Sequence, residues 1–586
     1  MKWCLSVFVI LLSSLVYTPL LNANETFTPD TLPDEIDEYV QQNEETNAGV
    51  TISLFESDDV IFQGNYGYKD IENGMEVDDD TVFEWGSITK LLVWVSVMQL
   101  WENGQIDLNR DIKDYLPSDV LEDTVYDQSI TITHLMNHEA GFQETLANLF
   151  VEEVSEDYTL HQAVKDSEPA QIYEPGNVSA YSNYGVALAA LVVEEISGQS
   201  FDVYVKDHIF EPLEMEETSI SVDASDNEWV HRGREEVKTY SASGSELGEN
   251  RLYIPLYPAG SAMGTMGDLI KFGQALLPGD SGSSLFNDGE TLNEMHRPTK
   301  YFADTDIPYN AHGFWVEIFE EPVIGHGGNT SGFSSHVRLD INKEIGYAVM
   351  TNQENEVIYN FMLAEEIFGE AVHSDYSGFL QSHDDMFVRM ARTVKEGPQK
   401  FMNMLITPLS IYEPERYVMV PYEYDGRTYY SYPNFDLETL GMFELFSVVG
   451  LYLLFIISTI YSALTLTAGG LITRPFRNKR SDGKTKQDFN KWHYIGNALA
   501  LIIFINFIIY LSQITGFRPL EVYMWQIYLS FILLVILVIY LLLYIVMLWR
   551  TEVRKWTYPK YLMTLTAMSV VLYLLLYLDL YQFWAI

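Results

Sequence analysis

The sequence predicts an α/β domain followed by an α-helical transmembrane bundle. Three observations carry that expectation. Strand-like segments lie at both ends of the first 374 residues, with long apolar helical runs between them. Four apolar stretches follow, near 442–472, 492–513, 526–549 and 561–584, each long enough to span a bilayer. The charge also changes sign along the chain. The 586 residues carry a formal charge of −49, yet from Gly441 onward there are 12 Lys/Arg against 6 Asp/Glu, leaving 22 basic and 77 acidic residues before it. An acidic domain therefore precedes a basic-looped membrane domain. Nucleic acid, which needs a positive surface, is not an expected partner of the acidic part.

The first residues read as a secretory signal over 1–23. Met1-Lys2-Trp3 leads into an apolar run from Cys4 to Leu21, and Asn22-Ala23-Asn24 offers cleavage near Ala23. Cys4 is the only cysteine, so the mature chain would carry no thiol. Disulfides, cysteine nucleophiles and thiolate metal sites are then excluded, and stability must come from a large core.

An acidic lead-in (Glu25 to Asn47) precedes the first expected strand, Gly49-Val50-Thr51-Ile52-Ser53-Leu54-Phe55. Asp58-Asp59 mark a turn, and Val60 to Tyr68 form the hairpin partner. Then comes Phe83-Glu84-Trp85-Gly86-Ser87-Ile88-Thr89-Lys90, which runs into a segment apolar on nearly every face and ending near Gly104. Such a segment is too short to span a membrane and reads as a helix buried on all sides. Residues three apart share one helical face, so Ser87 and Lys90 sit side by side at its start.

That pairing has chemical consequences. A serine hydroxyl is a poor nucleophile without a neighbouring base. A lysine amine is normally protonated, but burial and a helix N-terminus both disfavour its cation. Ser-x-x-Lys at the mouth of a buried helix is thus a recipe for an acylating serine. The plain alternative is a serine cap followed by a lysine that reaches out to solvent. The rest of the chain decides between them.

His134 and His138 are four apart, as a metal pair would be, but no third ligand lies nearby and they read as helix-packing residues. Tyr181-Ser182-Asn183 follows Glu174-Pro175-Gly176 and precedes a helical run, Val186 to Ile196. A phenol near a lysine can relay protons, and an asparagine amide can hold a substrate amide; otherwise this is a turn with a packed tyrosine. A glycine-rich loop, Pro258 to Thr265, comes before another helix. Ile324-Gly325-His326-Gly327-Gly328-Asn329 then reads as a strand that brings bare backbone close to a ligand, with N–H groups suited to an oxyanion hole. Asn329-Thr330-Ser331 is formally a glycosylation sequon and is discounted because it lies in the candidate site.

These elements, in this order, resemble the serine β-lactamase/penicillin-binding-protein superfamily, whose class A branch carries S-x-x-K with S-D-N and K-T-G. With Tyr181-Ser182-Asn183 second and His326-Gly327-Gly328 third, the combination looks like the class C β-lactamase, D-aminopeptidase and esterase branch. The flanks agree: Ile132-Thr133-His134-Leu135 with His138 and Gly141, Pro175-Gly176, Pro212-Leu213 with Met215 and Thr218, and Gly332-Phe333. The resemblance covers roughly residues 35–372. It implies a β-lactamase-like domain, an antiparallel sheet flanked by helices plus an all-helical lobe, within residues 24–374. It also implies that Ser87 is the nucleophile and that Lys90 and Tyr181 share general-base and proton-relay duty. Asn183 would hold the substrate amide, and the N–H groups of Ser87 and Asn329 would form the oxyanion hole beside Gly328. His326 stands where many relatives have lysine, which puts carboxylate recognition in question. The acyl-enzyme mechanism so implied needs no metal or cofactor.

Residues 375–440, polar and tyrosine-rich, read as a juxtamembrane region, and 441–586 as a four-helix transmembrane domain. Arg474 to Lys491 holds seven basic and two acidic residues, and Arg550, Arg554, Lys555 and Lys560 lie between the third and fourth stretches. Positive-inside counting puts both loops in the cytoplasm and the hydrolase outside, in agreement with the signal segment. Asn497, Asn506 and Asp579 are the polar residues of the spans, with Asp579 near an interface. The expected protein is a multi-pass cell-membrane serine hydrolase whose partners are membrane lipids and a small peptide, amide or ester. A peptidase or amidase on D-amino-acid-containing or other unusual peptides leads. The architecture is similar to prodrug-activating D-amino-acid peptidases. A β-lactamase, an esterase, and a penicillin-binding sensor acylated without turnover are the alternatives.

Overall fold

The computed structural model describes residues 32–43, 48–122, 124–144, 149–155, 158–279, 284–369, 387–398, 400, 409–410, 419–432, 434–471, 484–514, 520–550 and 558–583. The expected signal segment, Cys4, and most of the basic loops between the apolar stretches lie outside the described residues.

Helix α1 (Leu32–Asn43) buries Leu32, Ile36 and Val40, one face at four-residue spacing. Strands β1 (Gly49–Phe55), β2 (Val60–Asp70) and β3 (Met75–Glu76) follow as the expected hairpin and its extension. Strand β4 (Phe83–Glu84) leads through a 3₁₀ turn, Gly86–Ile88, into helix α2 (Thr89–Glu102), whose first twelve residues are all buried. Gly104, left-handed at φ 69°, ends it as the sequence suggests. Short helix α3 (Ile132–Met136) and helix α4 (Asn183–Ser197) belong to the helical lobe. Strands β5 (Thr218–Ser219) and β6 (Met263–Gly264) pair with β4 in the order β4-β6-β5, and helix α5 (Met266–Ala275) follows.

Strands β7 (Lys300–Tyr301), β8 (Pro308–Ala311), β9 (Phe314–Ile318), β10 (Pro322–Asn329), β11 (Ser334–Asp340) and β12 (Ile345–Thr351) return the chain to the main sheet. Helix α6 (Leu363–Phe368) closes the domain. The nine strands run in the order β3-β2-β1-β12-β11-β10-β9-β8-β7, with antiparallel neighbours throughout. The first and last strands of the domain thus meet at its centre, Val50 opposite Thr351 and Leu54 opposite Tyr347.

Side-chain alternation divides this sheet's two cores. Val50, Ile52, Leu54, Tyr347 and Val349 pack with α1 and α6 on one face. Phe55, Ala348, Met350, Val337 and Leu339 join α2, α4 and α5 in the larger core on the other. β1 is therefore buried at all seven positions. This is the antiparallel sheet flanked by helices, with a helical lobe, that the sequence leads one to expect.

Part of the stretch read as juxtamembrane carries a second sheet. Strands β13 (Phe387–Met390), β14 (Leu409–Ser410), β15 (Val420–Tyr424), β16 (Arg427–Tyr432) and β17 (Phe435–Thr439) form an antiparallel sheet in the order β14-β13-β17-β16-β15. Residues up to 393 and 408–439 form one compact unit with the nine-stranded domain. The small sheet is stitched to the helical lobe. Asp436 N–H donates to Ser179 O, and Ser179 N–H donates to Asp436 Oδ2, each at 2.8 Å. The Tyr173 hydroxyl donates to Ala391 O, and Tyr173, Val178 and Ala180 pack against Ala391 and Tyr429. Tyr422 also donates to Asp436 Oδ2, and Lys300 reaches both Glu139 (2.8 Å) and Asp436 (4.0 Å).

The second unit, residues 394–407 and 440–586, contains helices α7 (Met442–Leu471), α8 (Lys484–Ile514), α9 (Leu520–Arg550) and α10 (Tyr558–Tyr577). Among the described residues three helical segments, Lys491–Ile514, Val522–Arg550 and Tyr558–Tyr577, are long and apolar enough to cross a membrane, and Leu453–Thr467 is a shorter apolar segment. The polar residues singled out by sequence find partners within the unit. Asn497 on α8 donates to Thr564 on α10, Asn506 on α8 donates to Ser530 on α9, and Asp579 pairs with Lys400 at 3.2 Å. The last helix stops at Tyr577, earlier than the 584 expected from hydropathy, and Asp579 follows it with φ 52°. Hydropathy continues through 578–584, but the turn satisfies an ion pair there instead.

Asp436 is buried and is the shared acceptor that joins the small sheet to the lobe. Asp436→Ala strands Ser179 N–H and the Tyr422 hydroxyl and takes a carboxylate from Lys300. Calorimetric unfolding of the detergent-solubilised chain should show a loss of about 3 kcal/mol for the hydrolase transition.

Candidate active site

The site begins at a forced crossing of two backbones. Ser87 occupies the middle of the single 3₁₀ turn that feeds α2, and strand β10 passes beside that turn. A Cβ placed on Gly328 would stand 2.0 Å from Trp85 O and 2.9 Å from Ser87 N. Gly86, at φ 52°, is equally constrained, because its Cβ would come 2.8 Å from Asn329 N. Only glycine permits this approach. The two amides expected to face an oxyanion, those of Ser87 and Asn329, therefore meet at one crossing. Ser335 Oγ donates to Trp85 O at 2.8 Å and holds the turn against the sheet.

Lys90 points back from the first turn of α2 and is fully buried. Its Nζ lies 2.9 Å from Ser87 Oγ, 2.9 Å from Asn183 Oδ1 and 2.5 Å from Ala259 O. Burial, opposed by Glu144 and helped by Arg392, brings this amine from 10.5 down to about 7 in all. A neutral amine has two N–H donors and one lone pair. The two carbonyl oxygens, Asn183 Oδ1 and Ala259 O, match the donors, which leaves the lone pair for the Ser87 hydroxyl proton.

Tyr181 comes from the segment just before α4. The Ser182 side chain caps that helix by accepting from Gly185 N–H at 3.0 Å, which sets Asn183 in its first turn and Tyr181 immediately outside. Ser87 lies within hydrogen-bonding reach of the Tyr181 hydroxyl, and Lys90 Nζ is 4.9 Å from the ring centroid. Burial raises this phenol well above its ordinary value, so it is held neutral. His138 packs its ring 4.5 Å from that of Tyr181 and accepts from Ser182 N–H at 3.2 Å. Burial, with Lys90, Arg392 and Lys300 nearby, lowers His138 to about 3. His134, by contrast, completes the capping box of α3 with Thr131. The two histidines do separate structural work, and among the described residues no group of three or more His, Cys, Asp or Glu is placed to hold a metal ion.

His326 sits on β10, fully buried and stacked on Trp315 at 4.0 Å. Its Nδ1 donates to its neighbour's carbonyl, Gly327 O, at 2.7 Å, and burial pushes the imidazole well below its usual pKa. It is a neutral ring whose Nε2 has no hydrogen-bond partner among the described residues. The structure thus brings Ser87, Lys90, Tyr181 and Asn183 into one contact network, with His326, Gly328 and Asn329 on the strand beside it.

Several participants were not visible in the sequence. Ala259 contributes only a backbone carbonyl, although its loop was singled out. Trp315 lies on an alternating strand with nothing to mark it. Glu144 and Arg392 reach the site as an ion pair at 3.1 Å, Arg392 from the end of β13. The guanidinium carbon of Arg392 lies 5.3 Å from the Tyr181 ring centroid. Nothing in the local sequence around Arg392 announces this, because its place depends on how the small sheet docks.

The beta-lactamase family model matches residues 36–367. Protein flp of Staphylococcus aureus (strain MW2) is 23% identical over 356 residues, covering 58% of this chain and 67% of the relative. Penicillin-binding protein 4* of Bacillus subtilis (strain 168) is 24% identical over 328 residues, covering 53% of this chain and 69% of the relative. Among solved structures, the octameric penicillin-binding protein homologue from Pyrococcus abyssi superposes with a TM-score of 0.48 at 16% identity, covering 70% of this chain and 100% of that one.

The buried amine gives the site a pH signature. Lys90 can accept a proton only in its neutral form, which predominates above about pH 7. Labelling of Ser87 by a fluorophosphonate should therefore speed up about tenfold between about pH 6 and about pH 8. Lys90→Met should lower the rate about 10²–10⁴-fold and flatten the profile, as read by intact mass against time.

Proposed function

The chain belongs to the beta-lactamase family, and from the geometry of its serine we propose a serine peptidase or amidase that acts through a Ser87 acyl-enzyme. The observation that carries this reading is the Lys90 amine, 2.9 Å from Ser87 Oγ with both of its N–H donors already matched to carbonyl oxygens. In this reading neutral Lys90 takes the hydroxyl proton as Ser87 Oγ adds to the substrate carbonyl. The N–H groups of Ser87 and Asn329 receive the developing oxyanion. Asn183, whose Oδ1 is held by Lys90, presents Nδ2 to the substrate amide. Tyr181, a neutral phenol beside Ser87, passes its proton to the leaving nitrogen and is reprotonated from Lys90. The C–N bond breaks and an ester on Ser87 remains. Water then hydrolyses that ester by the same groups in reverse, releasing the acid and restoring Ser87.

The division of labour follows from the two pKa directions. Burial frees the lysine amine of its proton and keeps the phenol protonated, so Lys90 accepts and Tyr181 relays. The substrate class rests on motif. Tyr181-Ser182-Asn183 with His326-Gly327-Gly328 resembles the class C β-lactamase, D-aminopeptidase and esterase branch, which is compatible with an amide flanked by a D-configured or otherwise unusual residue. The apolar helices support membrane anchoring, and the basic loops between the apolar stretches support a hydrolase domain on the extracytoplasmic side.

The test uses the detergent-solubilised chain and its Ser87→Ala variant with a fluorescent penicillin, N-acyl-D-amino-acid amides and D-peptides, followed by intact mass. Turnover of a D-amide should fall by about four orders of magnitude in Ser87→Ala. A stable penicillin adduct on Ser87 with no amide turnover would replace the peptidase by an acylated sensor. Faster turnover of the penicillin or of esters than of any amide would select the β-lactamase or the esterase.

A further inference from the structure

Among the described residues, the cations that the beta-lactamase-like domain places near the site are already engaged. His326, where many relatives carry lysine, is a buried neutral ring stacked on Trp315. Lys90 is engaged by Ser87, Asn183 and Ala259. Lys300 is committed to Glu139 and Asp436. Among the described residues around Tyr181, that leaves Arg392, which lies beyond residue 367, where the family match ends.

Arg392 is held in place by what surrounds it. Its carbonyl accepts from Glu144 N–H at 2.7 Å, and its Nη1 donates to Glu144 Oε2 at 3.1 Å. The preceding residue, Ala391, is fixed from both sides, its carbonyl by the Tyr173 hydroxyl and its N–H by Asp436 O. Asp436 in turn grips Ser179, two residues before Tyr181. The small sheet and the Tyr181 segment are therefore joined by hydrogen bonds, with the guanidinium 5.3 Å from the Tyr181 ring. Among the described contacts only one of the five guanidinium N–H donors is used, and the side chain keeps 31% of its surface exposed. A half-buried guanidinium with open donors is the group best suited to a carboxylate, which it can clasp through two parallel hydrogen bonds.

The side of the substrate follows from the chemistry. The group that protonates the leaving nitrogen must stand on the leaving-group side of the scissile bond, and that group is Tyr181. We propose that Arg392, carried in by the small C-terminal sheet, binds the carboxylate of the leaving residue, so that the site prefers amides whose departing amino acid ends in a free carboxylate. This rests on the Ser87 acyl-enzyme reading for which bond is cut. Arg392 is a specificity residue and takes no proton.

The test separates the two claims by measuring binding without turnover. In the full detergent-solubilised Ser87→Ala chain, calorimetric titration compares N-acetyl-D-alanyl-D-alanine with its C-terminal amide. Arg392 should favour the acid by about tenfold or more, the range of a charge-assisted pair. Arg392→Gln should erase that preference, and Arg392→Lys should retain part of it. Acylation of Ser87 by p-nitrophenyl acetate, which carries no carboxylate, in otherwise unaltered Arg392→Gln protein reports that the site is still folded. No preference for the acid, no binding of either peptide, or a preference that survives Arg392→Gln overturns the proposal, whatever the acylation result. Absence of Ser87 acylation in the unaltered chain would instead remove the hydrolase reading, while the acid-to-amide ratio would still decide the role of Arg392.

Discussion

The structure depends on keeping one amine dry. Lys90 works as a base only if water cannot stabilise its cation, and this explains the composition of the helix that carries it. Thr89 to Leu100 are buried without interruption, with Trp94 at zero exposure. A surface helix would need a polar face, whereas this one has none to spare. The apolar surround is also why the amine's hydrogen bonds matter so much. In a low dielectric an unmatched donor is costly, so the two carbonyl acceptors from α4 and the Ala259 loop are part of the chemistry as well as of the packing.

The serine needs a second constraint, a close approach of backbones. The oxyanion amides can face one point only if β10 passes beside the turn that holds Ser87, and side chains at Gly86 or Gly328 would forbid it. The sheet topology serves this approach. β10 pairs with β11, which pairs with β12, which joins β1 at the centre. The strand that faces the nucleophile is thereby anchored to the first and last strands of the domain alike, and the site is built on a nine-stranded sheet rather than on a loop.

How legible this was in sequence varied with the range of the forces involved. The Ser87 helix, its Gly104 stop and the β1–β2 hairpin are local, and spacing alone places them, whereas the Ser182 cap that starts α4 at Asn183 emerges only in the structure. Gly327 and Gly328 signalled close approach because nothing else explains paired glycines in an apolar strand. The neutral state of His326 was not legible, since it follows from Trp315 stacking on it from a neighbouring strand. Ala259 contributes a carbonyl that every residue possesses. Arg392 is the extreme case. It sits in a polar, tyrosine-rich stretch whose composition reads as a juxtamembrane region, and only the long-range contacts of Tyr173, Ser179 and Asp436 turn that stretch into part of the site.

These contacts also explain why the small sheet sits where it does in the chain. The family-matched region ends at residue 367, and the apolar helices begin at Met442. A passive linker would need to satisfy only its own backbone. Residues 387–439 instead bury tyrosines against the lobe and place a carboxylate, Asp436, beneath the strand-like segment that delivers Tyr181. Glu144 answers from the lobe by binding both the backbone and the side chain of Arg392. Two sets of charges, one on each side, are thus interlocked around the proton relay. Such an arrangement couples the docking of the sheet to the electrostatics of the amine, because Arg392 lowers and Glu144 raises the Lys90 pKa. The base is therefore set by burial within the domain and trimmed by a pair that exists only when the sheet is seated.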